Sequence, residues 1–169
     1  MQIIGFDPGN SESTLTWRSG ATQRHVNLPS FIGPGRIEDV QRVRSGAGDG
    51  AIQKHEIVLC HNDMSYFVGQ LAIDETRNVS AARNDVSRYW NGHTLRLLLA
   101  LAAQANISGA VRIMTGLPVS VWSSETKQKV KQSLIGEHVY AVNGRERRLI
   151  VEAVGVMMEA LRKEMLAHV

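Results

Sequence analysis

The chain has 169 residues, with 19 Lys and Arg against 16 Asp and Glu for a net charge of +3, and 43% of it is hydrophobic. That is one ordinary domain able to bury a sizeable core, and nothing in the composition suggests a disordered tail or a disulfide-stapled miniature. The single cysteine, Cys60, excludes an internal disulfide and favours a reducing compartment, the acidic Asp7 so near the start argues against a secretory leader, and "LRLLLALAA" is far short of a membrane span. A soluble, cytoplasmic protein is expected.

In chain order, Ile3, Ile4 and Phe6 predict a first strand that runs straight into Asp7, Pro8, Gly9 and Asn10. Those residues suit a plain hairpin at low steric cost. They equally suit a clamp for phosphate and metal. Gly9 lets backbone N–H groups approach an anion closely, hydroxyls follow at Ser11, Ser13 and Thr14, and Asp7 stands at a strand end where a water-rich Mg²⁺ needs only one or two carboxylates.

"STLTWRSG" and "TQRHVNLPSFIG" alternate as two further strands around a Ser19-Gly20 turn, completing an antiparallel meander. The stretch "PGRIEDVQRVRSGAGDGAIQ" ends in a small, Gly-rich segment, Ser45 to Gly50, read as a loop. Strands "HEIVLC" and "SYFVG" follow, with a hairpin at Asn62-Asp63. From about Asn91 to Asn106 apolar residues sit all round a helix, which predicts burial between layers. "AVRIMTGLPV" reads as a strand covered on both faces. An amphipathic helix runs from a cap at Ser123 or Ser124 to a stop at Gly136, with Val130 and Leu134 inward. The remainder is "EHVYAV", an Asn143-Gly144 hairpin, the strand "RERRLIVEAVGV" and a C-terminal helix, Met157 to His168. A meander followed by β and α alternation predicts an α/β fold, one mixed sheet with helices on its faces. The basic clusters, Lys127, Lys129 and Lys131 and Arg145, Arg147 and Arg148, have no interleaved aromatics and read as solvated faces rather than a nucleic-acid track.

Five stretches taken together resemble the N-terminal half of bacterial and archaeal actin-like ATPases, the family that includes the plasmid-segregation protein ParM. "GFDPGNSESTLTW" resembles the first phosphate loop, "LPSFIG" and "YFVGQLA" resemble landmarks after the meander, "TGLPVSVW" resembles the strand end near the nucleotide, and "NGRERRLIVEAVGVMMEAL" resembles the hairpin, strand and helix start that close this half. The resemblance implies a ribonuclease H-like core and a first-half domain over 1–169, with the second half absent from this chain. It implies ATP and Mg as cofactors: Asp7 on Mg²⁺ through water, Gly9, Asn10, Ser11, Ser13 and Thr14 around the β- and γ-phosphates, and Glu159 orienting the attacking water. By itself Glu159 is also a favourable acid in the first turn of a helix. Met158 stands where the family usually has Pro, and Thr14 where relatives often carry a longer polar or basic residue. The implied partners are nucleotide, further copies of the chain in filaments or oligomers, and a DNA-segregation adaptor, with neither direct nucleic-acid binding nor a membrane expected. The segment Ser45 to Gly50 falls where relatives make subunit contacts.

Two other functions fit parts of the chain. "IIGFDPG" also resembles the opening strand of RuvC-type resolvases, nucleases of the same core that need several carboxylates around two metals. Against Asp7, however, the middle strand "AVRIMTGLPV" offers no acid, and the C-terminal helix offers only Glu159 and Glu164. A non-catalytic interaction module remains the other alternative.

Overall fold

The computed structural model describes residues 1–45, 52–53, 55–76 and 85–159. Its frame is a single sheet of nine strands: β1 (Gln2–Pro8), β2 (Glu12–Ser19), β3 (Thr22–Pro29), β4 (Ile32–Pro34), β5 (Ile57–His61), β6 (Met64–Val68), β7 (Gly109–Leu117), β8 (Gly136–Val142) and β9 (Arg145–Met158). Across the sheet the order is β3-β2-β1-β7-β9-β8-β5-β6-β4. The predicted meander is there, since β1 pairs antiparallel with β2 and β2 with β3, while β1, β7 and β9 run parallel. The sheet is therefore mixed, as the strand chemistry implies.

Turn residues set the hairpins. Asn62 and Asp63 take φ of 51° and 60°, and Asn143 and Gly144 take 51° and 77°, the left-handed pair whose twist matches the flanking strands. Asn143 also ties its hairpin to β5: its Oδ1 accepts from the Val58 N–H at 2.8 Å and its Nδ2 donates to the Glu56 carbonyl at 2.7 Å.

Among the described residues α-helices α1 (Ile37–Ser45), α2 (Gln70–Glu75), α3 (His93–Gln104) and α4 (Ser124–Leu134) cover the sheet. The apolar periodicity of α3 leads to burial of Leu97 through Ala103. Its leucines join Val130 and Leu134 of α4 on one face of the sheet, over Ile4, Phe6, Leu15, Val111, Ile113, Leu117, Leu149 and Val151. Ser123 caps α4 as predicted, its Oγ accepting from the Thr126 N–H at 3.0 Å. On the opposite face, at the β5-β6 end, Val58 and Phe67 pack with Val40 of α1 and Leu71 and Ala72 of α2. Helices thus lie on both faces.

The expectation that β7 is covered on both faces is not met. Arg112 and Met114 point to the face away from α3 and are exposed, as is Ile3 beside them on β1. An apolar run tells strand from loop but not one covered face from two, and Arg112 is the residue that marks the open side. The last strand is also longer than predicted: Met157 and Met158 still pair with β7, and only Glu159 begins the helix. Apolar Met fits strand and helix alike, so the sequence holds no stop signal there. The rest of the predicted C-terminal helix, and the segment from 46 to 50, lie outside the described residues, Ser45 being the last residue of α1.

Candidate functional site at the ends of three parallel strands

The three parallel strands finish at one edge of the sheet. β1 ends at Asp7 and Pro8, β7 at Gly116 and Leu117, and β9 at Met157 and Met158, with Glu159 following. β7 lies between the other two, and the register sets Asp7 level with Met157, so with ~4.8 Å per strand spacing and ~3.3 Å per residue the backbone of Glu159, two residues further on, is about 12 Å from that of Asp7. Ligands of open α/β sheets collect outside the carboxyl ends of parallel strands, because loops are free to vary there over a rigid scaffold. Both are half-buried, so the pair faces a shallow edge rather than the core.

The β1-β2 turn is tight for a physical reason. A Cβ on Gly9 would run into the Glu12 carbonyl oxygen, so the chain can close here only with glycine. Asn10 and Ser11 are exposed at its tip. Among the described residues, no turn or loop hydrogen bond is donated by the backbone amides of Gly9, Asn10 or Ser11. Thr14 sits directly across from Asp7 on β2 and is half-buried. Ser13 differs: its side chain is fully buried, and its Oγ is hydrogen-bonded to Ser30 Oγ at 2.8 Å. The Ser30 N–H donates to the Ser11 carbonyl at 2.9 Å, so two bonds fasten the turn to the end of β3. Sequence spacing brings Ser13 to the loop, but strand alternation turns its hydroxyl inward.

Behind the turn lies a cluster that no motif advertises. A short 3₁₀ turn, Val86–Tyr89, is capped by Asp85, whose carboxylate accepts from Ser87 N–H at 2.8 Å. It delivers Arg88, only 5% exposed, to the turn: Nη2 donates to the Pro8 carbonyl at 3.3 Å and to the Tyr89 hydroxyl at 2.7 Å, and Nη1 to the Gly9 carbonyl at 3.5 Å. Thr94, in the first turn of α3, holds the Arg88 carbonyl at 2.9 Å. Beside it His93 is buried, and its pKa is lowered from 6.5 to about 4, first by desolvation and then by the Arg88 charge. Its imidazole is thus neutral near pH 7. The 80-residue separation between Arg88 and the turn hides this cluster from any sequence window.

The basic groups are placed in two different ways. Arg148 makes a two-pronged contact with Glu137 at 2.7 and 3.0 Å, which staples the β8-β9 hairpin, and Arg147 donates to Asn106 Oδ1 at 3.1 Å, which ties β9 to the loop between α3 and β7. The lysines of α4, without aromatics in sequence, meet them in space: Lys127 lies over the Trp122 ring at 4.8 Å and Lys129 over Trp90 at 5.3 Å. Among the described residues no cluster of three His, Cys, Asp or Glu could hold a metal ion, which leaves the two-metal nuclease arrangement without its ligands there. Asp7 alone suits a hydrated Mg²⁺, which takes few protein oxygens. A cavity of about 500 Å³ lies by Trp17 and Gln104 and another of about 310 Å³ by Pro34 and Asp63, and neither of these is lined by the ends of β1, β7 or β9. No described helix is long and apolar enough to cross a membrane.

Residues 5–161 match the family described as the N-terminal domain of actin-like proteins. The chain belongs to that family. No curated protein matches this actin-like chain by sequence. Among solved structures it is similar to Ta0583, an archaeal actin homolog, with a TM-score of 0.73 and 14% identity over 95% of this chain and 46% of that one. It is likewise similar to the ParM of pSK41 in apo form (0.69, 16%, covering 94% and 50%) and to the filament structure of AlfA from B. subtilis plasmid pLS32 (0.66, 14%, covering 94% and 56%). Ta0583 has also been solved in complex with ADP. The actin-like chain spans about half the length of these solved relatives.

Proposed function

We propose that this chain is the phosphate-holding N-terminal half of an actin-like, filament-forming ATPase that uses Mg-ATP in the cytoplasm, for plasmid segregation or a prokaryotic cytoskeleton. The observation that carries the reading is the shared strand edge, where Asp7, the open amides of the Gly9 turn and Glu159 stand around one shallow surface. Relatives solved as a filament and with ADP support it.

In this reading the N–H groups of Gly9, Asn10 and Ser11 hold the β- and γ-phosphates, and Asp7 orders the water shell of the magnesium. Thr14 lines the wall beside Asp7. Ser13 supports the loop from below, because its hydroxyl is already bonded to Ser30. Glu159 orients the attacking water from the end of β9. The metal-bound nucleotide supplies charge neutralisation and the leaving group, and the rest is positioning, as in phosphoryl transfer generally. A second half, of the length the solved relatives carry beyond the matched part, would enclose the base and contribute opposing donors. Partners are then further copies of the same protein and an adaptor for the DNA cargo.

The test is a titration of the 169-residue chain with Mg-ATP, followed by amide NMR and phosphate release. Affinity no better than about millimolar, worth ~4 kcal/mol, is expected, with shifts at Gly9 to Ser11, loss at high salt and no turnover. A flat response of those amides at several-millimolar nucleotide would sink the phosphate reading. Micromolar binding or steady hydrolysis would mean that the chain completes the clamp itself.

A further inference from the structure

We infer that Arg88 is a positioning residue for the β1-β2 turn, a buried fork that holds the Pro8 and Gly9 carbonyls inward and thereby turns the Gly9 and Asn10 amides outward toward an anion. The inference rests on the phosphate reading above and adds to it the residue that presets the loop.

The geometry follows from the peptide unit. In a planar trans peptide the C=O and the next N–H point in opposite directions. The carbonyls of Pro8 and Gly9 both face the Arg88 guanidinium, at 3.3 and 3.5 Å. The amides on the far side of those two peptides belong to Gly9 and Asn10, and neither is used by a loop hydrogen bond among the described residues. Without a partner behind it, a short Gly turn could flip either peptide and present a carbonyl to the anion instead. Flipping now would strand a buried donor, an arrangement proteins avoid.

Arg88 is itself fixed from three sides. Tyr89 takes one of its protons at 2.7 Å and lies under the guanidinium at 4.5 Å from the ring centre, Thr94 holds its backbone carbonyl, and the Asp85 cap sets the 3₁₀ turn. Among the described residues no carboxylate forms an ion pair with it: the nearby Asp85 carboxylate is held by Ser87, and His93 alongside is neutral near pH 7. A buried positive charge behind the turn also raises the potential where phosphate oxygens would sit. Orientation and charge thus act in the same direction, and they separate by substitution. Lysine keeps the charge but loses the fork, methionine keeps the stem alone, and Tyr89→Phe keeps the guanidinium while removing one anchor.

The probe is Mg-tripolyphosphate, which presents a phosphate tail without a base. Isotope-labelled wild type, Arg88→Met, Arg88→Lys and Tyr89→Phe are compared by carbonyl ¹³C shifts of Pro8 and Gly9, by amide shifts of Gly9 and Asn10 on titration, and by melting temperature. Arg88→Met is expected to move both carbonyl shifts and to weaken binding about tenfold, the scale of losing charged hydrogen bonds. Arg88→Lys recovers part of the affinity, and Tyr89→Phe loses a few-fold with the fold intact. If Arg88→Met does not fold, Tyr89→Phe decides. Carbonyl shifts and affinity unchanged in the folded variants overturn the inference while leaving the phosphate reading standing. Wild-type Gly9 and Asn10 amides indifferent to the probe overturn both.

Discussion

Replacing Gly9 by alanine tests whether the β1-β2 turn is as tightly built as its geometry implies. The new Cβ would collide with the Glu12 carbonyl oxygen, a backbone atom that no rotamer change can move aside. The two must separate by roughly 1 Å to reach ordinary contact. The turn has little room to yield, because Pro8 is buried and Ser11 and Ser13 are bonded to Ser30 at 2.9 and 2.8 Å. Overpacking of this kind costs about 1–3 kcal/mol, and a broken Ser30 bond adds about 1 more. The total, roughly 2–4 kcal/mol, lowers the melting temperature of a chain this size by about 5–15 °C. Gly5→Ala is the control. There the nearest atoms to a new Cβ are Thr16 Cβ and O, both at 3.8 Å, and restricting the unfolded chain should stabilise by about 0.4–1 kcal/mol. Thermal unfolding by circular dichroism separates the two. Equal melting temperatures for Gly9→Ala and wild type would refute the reasoning.

Three further predictions follow from other parts of the structure. In a polypeptide that also carries a second half, Glu159→Ala should slow ATP hydrolysis while nucleotide affinity stays nearly constant, whereas Asp7→Ala should reduce both, as steady-state kinetics and calorimetry would show. His93 binds its proton near pH 4 in the fold but near 6.5 when unfolded, so stability is full above pH 6.5 and falls as pH drops toward 4, by about 3 kcal/mol from this group. Denaturation curves at pH 7 and 4.5 should therefore differ less in His93→Gln than in wild type, and equal differences would count against it. Asn143→Ala removes two side-chain bonds to β5 and places alanine at φ 51°, so its urea midpoint should fall by the equivalent of about 2–4 kcal/mol; a loss under about 0.5 kcal/mol would mean that the turn tolerates the change.

What the sequence revealed depended on whether the signal was local. Asn62-Asp63 and Asn143-Gly144 fix their hairpins within two residues, the Ser123 cap fixes the start of α4 within one turn, and the run around Leu97 makes α3 unmistakable. Short α1 and α2 offer only an apolar turn or two, Ile37 and Val40 in one and Leu71 and Ala72 in the other, and these become helices by packing on Val58 and Phe67, which the local pattern does not show. The site divides in the same way. Asp7 and Gly9 are legible because a strand end and a Gly turn are neighbours in sequence. Arg88 reaches them only through the crossover that α3 completes, and the inward turn of the Ser13 hydroxyl depends on strand register that three neighbouring hydroxyls leave ambiguous.

The position of β9 has a consequence for how the chain is made. This strand is the last in the described sequence yet lies fifth across the sheet, between β7 and β8. Until residues 145–158 leave the ribosome, β3-β2-β1-β7 and β8-β5-β6-β4 are two separate ribbons, each ending in an unpaired edge. Such edges invite pairing with other chains. Insertion of β9 closes both edges in one event and brings Glu159 to the same margin as Asp7, synthesised 152 residues earlier. Nascent chains stalled before Arg145 should therefore pair with one another through the open edges of β7 and β8, whereas chains extended past Met158 should lose that route, and the strand edge that carries the proposed chemistry comes into being only with this insertion.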